Sequence, residues 1–338
     1  ERISDEEFSK KINDLDVDFS KFSDKLQQRI MNHFGIMNYS EKTMKKMEVL
    51  LDHKLNPNQT FGYYKTPFIL LGTIPYNYKV KWVKKYPIDV NSIFTGATDV
   101  TTLINLAISK NDLDFLDFLI KKGVNIKSKI IFQGEAKNYF YYLLVNKNDL
   151  SFYKLLIENG LDVDSPPRGG ATLLNFILNN QNLYDKDYKI LDYILSKNPN
   201  LKLYFNDISY LYIAIRTLNI EGFKKLVEHG ADINATVRKY KTESPLIYTI
   251  LLYKDLTEQE KIKIYEIIKY LIEKGADKNK KDSDGKTALD YALGNPEKYD
   301  TILKLLGYEK KEKLWKGFIQ ADINKFDIFF TNPNDWSC

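Results

Sequence analysis

A short phrase recurs along this chain: an apolar helix end, a turn, and then an Asp or Asn. It reads Lys54-Leu55-Asn56-Pro57-Asn58, Pro87-Ile88-Asp89-Val90-Asn91 and Gly123-Val124-Asn125-Ile126. It returns as Gly160-Leu161-Asp162-Val163-Asp164 and, in a worn copy, Asn198-Pro199-Asn200-Leu201. The cleanest copies are Gly230-Ala231-Asp232-Ile233-Asn234 and Gly275-Ala276-Asp277-Lys278-Asn279. With the Asp/Asn as marker, the positions are 56, 89, 125, 162, 200, 232 and 277, spaced 33, 36, 37, 38, 32 and 45 apart. A period of this size constrains the fold more than any composition figure. It belongs to arrays of small units, each unable to bury its apolar face until a neighbour stacks on it.

Each marker follows a helical pattern with apolar residues at i, i+3, i+4 and i+7. Leu113, Leu116, Leu119 and Ile120 form one stripe; Phe152, Leu155 and Leu156 form another; Ile267, Ile268, Leu271 and Ile272 form a third. Gly123, Gly160, Gly230 and Gly275 suit a left-handed helix cap. A second, shorter helix is expected before each stripe, opening at Thr66-Pro67-Phe68, Ser244-Pro245-Leu246 and Thr287-Ala288-Leu289. The hydroxyl can cap the helix, and proline fits its first turn. Asn111-Asp112 and Asn148-Asp149 join the two helices of a unit. The 45-residue step contains the polar stretch Tyr253–Lys261, expected to lengthen one inter-helix connection.

Asp282-Ser283-Asp284-Gly285-Lys286-Thr287-Ala288-Leu289 and Glu228-His229-Gly230-Ala231-Asp232-Ile233-Asn234 resemble the start and end of the ankyrin consensus. The resemblance runs from about Met44 to Tyr308. It implies an all-α fold: a solenoid of stacked helix-turn-helix units with β-hairpin-like connecting loops and helical caps at both ends. The departures are specific. The family's histidine after Thr-Pro-Leu is replaced by Ile69, Asn105, Tyr142, Asn175, Tyr212, Ile247 or Asp290. That histidine ties neighbouring hairpins together, so a different polar network is expected here. Tyr141-Tyr142 and Tyr212 stand where the family places small alanines.

The expected organisation is a helical N-terminal cap over residues 1–43, with helices at Glu6–Leu15 and Asp24–Met37, then the ankyrin array over 44–308. Residues 309–338 are expected to form a degenerate final repeat or C-terminal cap. Helical patterning there covers Leu314–Phe330, with Trp336 packing back. The chain is 43% hydrophobic and 28% charged, with a net charge of +5. No apolar run approaches the roughly 18 residues of a membrane span. Basic residues are interleaved with acids; Lys278-Asn279-Lys280-Lys281 is the densest run and reads as a solvated loop, which argues against nucleic acid as the partner. The single cysteine, Cys338, excludes an internal disulfide. A first residue of Glu1 rather than Met, with a single Cys, leans towards an exported chain over a cytoplasmic one, and a monomer is expected.

Patterns that carry chemistry are weak. His33, His53 and His229 lie in different units without a Cys or His neighbour at metal-ligand spacing. Asp282-Ser283-Asp284-Gly285 resembles part of a calcium loop, but Lys280 occupies the first acid position and Tyr291 the bidentate glutamate position. Arg168-Gly169-Gly170-Ala171-Thr172 could cradle an anion at a helix start, though a tight hairpin explains it as well. No catalytic residue, cofactor or metal site is expected.

The resemblance implies partner binding at the hairpin tips and the exposed side of the first helices. Those positions are Tyr63, Tyr64, Lys65 and Thr73; Thr101, Ser109 and Lys110; Lys137, Asn146 and Lys147; Arg168, Asn179 and Asn180; Arg216 and Thr217; Arg238, Tyr240, Lys241 and Glu243; and Ser283, Asp284, Lys286 and Asn295. Tyrosine and arginine are the types that most often dominate interfaces. The expected partner is a protein with an acidic or mixed-charge surface, held on a concave face without catalysis. A secreted effector and a toxin-neutralising immunity protein are both forms of that reading. The alternative is the binding or regulatory part of an enzyme whose catalytic residues lie in residues 1–43 or outside this chain.

Overall fold

The computed structural model describes residues 4–35, 41–58, 60–61, 66–67, 74–92, 94–95, 100–128, 130–132, 135–146, 149–166, 171–203, 208–236 and 243–308. The chain divides into two compact units, residues 1–200 and 201–338.

Unit one opens with α1 (Asp5–Asp14), a 3-10 turn at Phe19–Lys21, α2 (Asp24–Gly35) and α3 (Glu41–Asp52). Hairpin β1 (Thr60–Phe61)–β2 (Thr66–Pro67) precedes α4 (Tyr76–Lys85). Hairpin β3 (Phe94–Thr95)–β4 (Val100–Thr101) precedes the pair α5 (Leu103–Ser109) and α6 (Leu113–Lys121). Hairpin β5 (Ile130–Phe132)–β6 (Glu135–Lys137) precedes α7 (Tyr139–Asn146) and α8 (Leu150–Glu158). The unit closes with α9 (Leu173–Asn179), a short α10 (Gln181–Tyr184) and α11 (Lys189–Ser196). Unit two holds the pairs α12 (Tyr210–Arg216) and α13 (Ile220–Glu228), α14 (Pro245–Tyr253) and α15 (Glu258–Glu273), and α16 (Ala288–Leu293) and α17 (Asp300–Leu306).

Local chemistry explains the pairs. Thr102 and Thr172 hydroxyls accept the N–H groups of Asn105 and Asn175 at the starts of α5 and α9. Ser244 and Thr287 do the same for α14 and α16, a contribution of about 1 kcal/mol each. Asp112 caps α6 through Phe115 N–H at 2.8 Å. Of the expected stripes, Leu116 and Leu119 are fully buried, as are Ile267, Ile268 and Leu271, while Leu113, Ile120 and Ile272 are half-buried; Phe115, outside the expected stripe, is fully buried beside the first. Each such side chain contributes about 1.5–3 kcal/mol. Within unit one α5 lies against α6 and α7; within unit two α12 lies against α13 and α14, and α14 against α15 and α16.

The markers are joined by a hydrogen-bond ladder. Six marker side chains close a turn on the N–H two residues on: Asn56 to Asn58, Asp89 to Asn91, Asn125 to Lys127, Asp162 to Asp164, Asp232 to Asn234 and Asp277 to Asn279, at 2.8–3.0 Å. In four of these pairs the second residue, an Asx, then reaches the next repeat. In unit one Asn58 Oδ1 accepts Asp89 N–H at 2.9 Å, Asn91 Oδ1 accepts Asn125 N–H at 2.7 Å, and the Asp164 carboxylate accepts Asn200 N–H at 3.0 Å. In unit two Asn234 Oδ1 accepts Asp277 N–H at 2.9 Å. The first rung comes from α2: buried Gln27 accepts Asn56 N–H on Oε1 at 3.0 Å and donates from Nε2 to Phe22 O. Beside it, the His53 ring reaches Val17 O and Asn13 Oδ1, and Lys54 pairs with Asp18.

Three expectations need correction. Thr66-Pro67, expected at a helix start, is strand β2 paired with β1, and residues 68–73 that follow lie outside the described residues. The long step does not mainly lengthen a connection. Thr257 and Glu260 form a reciprocal capping box that starts α15 early, so the helix runs 16 residues where α6, α8 and α13 run nine. Asn138 caps α7 through Phe140 N–H, which places Tyr141, not Tyr142, at the position of the family histidine. The array also contains an unforeseen detour between α9 and α11. Buried Asp185 accepts Ile190 and Leu191 N–H at the start of α11, standing in for a cap that left-handed Tyr188 does not supply. The patterned stretch Leu314–Phe330 and Trp336 lie outside the described residues.

Candidate partner-binding surface

The second helices are stitched to one another by their own side chains. Trp82 of α4 donates from Nε1 to Glu48 of α3 at 2.8 Å, and Tyr86 donates to Asp52 at 2.8 Å. Tyr193 of α11 donates to Glu158 of α8, with the Lys154 and Lys197 ammonium groups 5.6 and 4.8 Å from its ring. Partial burial and the Glu158 charge push the Tyr193 hydroxyl up to about 12. In unit two Tyr270 of α15 repeats the arrangement with Glu228, Lys224 and Lys274. Charge and aromatic surface on these helices are thus spent within the molecule.

The first helices differ. α5, α7, α9, α12 and α14 carry no Asp or Glu at all. One turn into each, the residue four past the cap is apolar or aromatic: Leu106, Tyr142 and Phe176 in unit one, Ile213 and Tyr248 in unit two. All but Ile213 are half-buried. Val145, one turn beyond Tyr142 on the same face, is 58% exposed. Lys110 and Arg216 stand exposed at the ends of α5 and α12.

The partner-contact positions expected from the sequence divide three ways. Tyr63, Tyr64, Lys65, Thr73, Lys147, Arg168, Arg238, Tyr240 and Lys241 lie outside the described residues. Lys137 and Glu243 are corrections. They are 2% and 7% exposed, and the Lys137 ammonium lies 4.3 Å over the Tyr141 ring, so neither side chain faces outward as a contact needs. The third group lies at the surface. Ser109, Asn146, Asn180 and Thr217 turn a donor back onto helix carbonyls at Leu106, Tyr142, Phe176 and Ile213. Half-buried Asn179 does likewise to Asn175. For Thr101 only the backbone is described, and it pairs with Phe94 in the strand ladder. Ser283, Asp284, Lys286 and Asn295 are exposed, and the Lys286 ammonium is 5.3 Å from the Tyr291 ring. The half-exposed apolar row was not foreseen. Its signal was available as the lack of carboxylates in every first helix from α5 to α14.

The turn resembling a calcium loop is a hairpin built on Asp282. Its carboxylate accepts the N–H groups of Asp284 and Lys286 and the Tyr291 hydroxyl at 2.9, 3.0 and 2.5 Å, which leaves it engaged by donors. Among the described residues no group of three or more His, Cys, Asp or Glu is placed to hold a metal ion, and no helix is long and apolar enough to cross a membrane. His229 donates from Nδ1 to Lys225 O, within its own helix end. Lys79 of α4 is 4% exposed; burial, with Lys110 nearby, pulls its ammonium down to about 8.

No family model matches the sequence, and no curated protein matches it. Solved structures do. An ankyrin repeat domain from Acinetobacter baumannii AYE aligns at 21% identity over 60% of this chain and 95% of its own, with a TM-score of 0.50. The ankyrin repeat protein EF0377 aligns at 22% identity over 62% and 98%, with a TM-score of 0.48. The ankyrin repeat domain of Bcl-3, of the IkappaB protein family, aligns at 15% over 56% and 93%, with a TM-score of 0.38. With the hairpins, paired helices and marker ladder already described, the first of these likenesses fixes the fold. The chain has the fold of an ankyrin-repeat array.

Proposed function

We propose that this chain is a non-catalytic scaffold that binds another protein along the face of its first helices and the neighbouring hairpins. One observation carries the reading: helices α5, α7, α9, α12 and α14 carry no carboxylate, and four of them keep a half-buried aromatic or apolar side chain one turn in, whereas Glu48, Asp52, Glu158 and Glu228 of the second helices are held in internal stitches. A solvated face with no task would not need that segregation. In this reading residues 1–43 cap the array, which Gln27 supports by supplying the first rung. In the same reading the partner's surface is acidic or mixed in charge.

The test is a pull-down with the intact chain, followed by alanine at Tyr64, Lys110, Arg216 and Tyr240. Loss of a specific partner with unchanged thermal unfolding supports the scaffold. Turnover of a substrate by the purified chain, unaffected by these changes, would overturn it.

A further inference from the structure

The scaffold reading leaves the chemistry of the partner open, and the face in unit one narrows it. Leu106 and Tyr142 sit at equivalent places on α5 and α7, which pack side by side, and Phe176 holds that place on α9. Packed helices lie about 8–10 Å apart. Seven residues of an α-helix rise about 10.5 Å. A helix laid across these repeats therefore meets one apolar residue per repeat with every seventh side chain. Val145, at 58% exposure, widens the apolar row. Lys110 is exposed at its edge, and Asn180 lies one turn past Phe176. No carboxylate on α5, α7 or α9 repels an acid placed there.

We infer that this face of unit one receives an amphipathic helical segment of another protein, with an apolar ridge of seven-residue spacing and glutamate or aspartate along its flank. The inference rests on the scaffold reading and adds the partner's class to it. Apolar contact supplies affinity, and the missing carboxylates set the sign of charge the face accepts.

The probes are three synthetic peptides of about 20 residues, long enough to span three repeats. They share leucines at seven-residue spacing and carry glutamate, glutamine or lysine on the flanks. Fluorescence anisotropy with the full chain should show the glutamate peptide binding at least about tenfold tighter than the lysine peptide, a gap that narrows in high salt. Val145→Asp should abolish binding while the circular dichroism melt stays unchanged, and Lys110→Glu should shrink or reverse the preference. Equal binding of all three peptides, or binding indifferent to V145D, overturns the inference. A dimer of this chain in sedimentation that V145D dissociates overturns it too, because the face would then be occupied by a second copy. A pull-down partner lost on the Arg216 change but retained by V145D and K110E keeps the scaffold and removes this inference. Substrate turnover removes the scaffold itself.

Discussion

At Asn91 one carboxamide oxygen holds the next repeat's marker N–H, while its own N–H is held by Asp89. A neutral hydrogen bond of this kind contributes about 0.5–1.5 kcal/mol. Asn91→Ala should therefore lower stability by about 1 kcal/mol in denaturant unfolding and speed hydrogen exchange at Asn125. The equivalent place in the following repeat is Lys127, whose ammonium has no lone pair to offer Asp162 N–H. Lys127→Asn should add a rung and raise the unfolding midpoint, with exchange slowed at Asp162; an unchanged midpoint would show that Lys127 contributes something of equal worth. Asp164 makes the same bond as an anion, and burial with the nearby Asp162 charge raises its pKa despite the Asn200 N–H. A carboxyl with a raised folded pKa binds its proton more tightly when folded, so stability falls as pH rises from the ordinary carboxylate range through the folded value. Asp164→Asn keeps an acceptor oxygen and removes that penalty. The variant should be more stable than the parent at pH 7, with the gap closing by pH 3 in paired thermal melts.

Element starts and stops show where the sequence was legible and where it was not. Gly123, Gly160, Gly230 and Gly275 all hold positive φ where the sequence placed helix caps, because only glycine enters that region without strain. Helices α1, α6, α8, α13 and α15 lie where the 3.6-residue periodicity put them, since one apolar face each must be buried. The 66–67 segment was misjudged because a Thr-Pro pair serves a strand edge as readily as a helix start. The α15 extension was missed because a polar stretch was read as a loop, although Thr257-x-x-Glu260 is a capping box. The candidate face was less legible than the fold: side-chain burial, which removes Lys137 and Glu243, depends on neighbouring repeats and leaves no local trace. Leu218 is an element-scale oddity of the same origin. It holds φ of 54° in the turn between α12 and α13, a place Asn111 fills between α5 and α6. A non-glycine residue there costs about 1 kcal/mol that Asn or Gly avoids in part. Leu218→Asn should stabilise unit two by about 0.5–1 kcal/mol in denaturant unfolding, provided the half-buried leucine side chain contributes less than that.

For the molecule as a whole, stability in a repeat array is a sum of unit terms and nearest-neighbour terms, so an end without a neighbour is its weakest part. Gln27 matters at this scale. It lies outside the repeating pattern yet supplies from α2 the acceptor that Asn58, Asn91 and Asp164 supply inside it, while α1 packs on α3, which buries Met44 and Met47. The N-terminal helices thus imitate the polar face of a preceding repeat as well as covering an apolar one. Gln27→Ala removes the acceptor from Asn56 N–H and the donor to Phe22 O together. In the full chain, hydrogen exchange should accelerate at Asn56 and along α3, fade through α4 to α6, and leave Asp277 at its original rate, because coupling passes only between neighbours. Equal acceleration at Asn56 and Asp277 would mean that the chain opens as one cooperative body, and the sum of neighbouring terms would then be the wrong description of its stability.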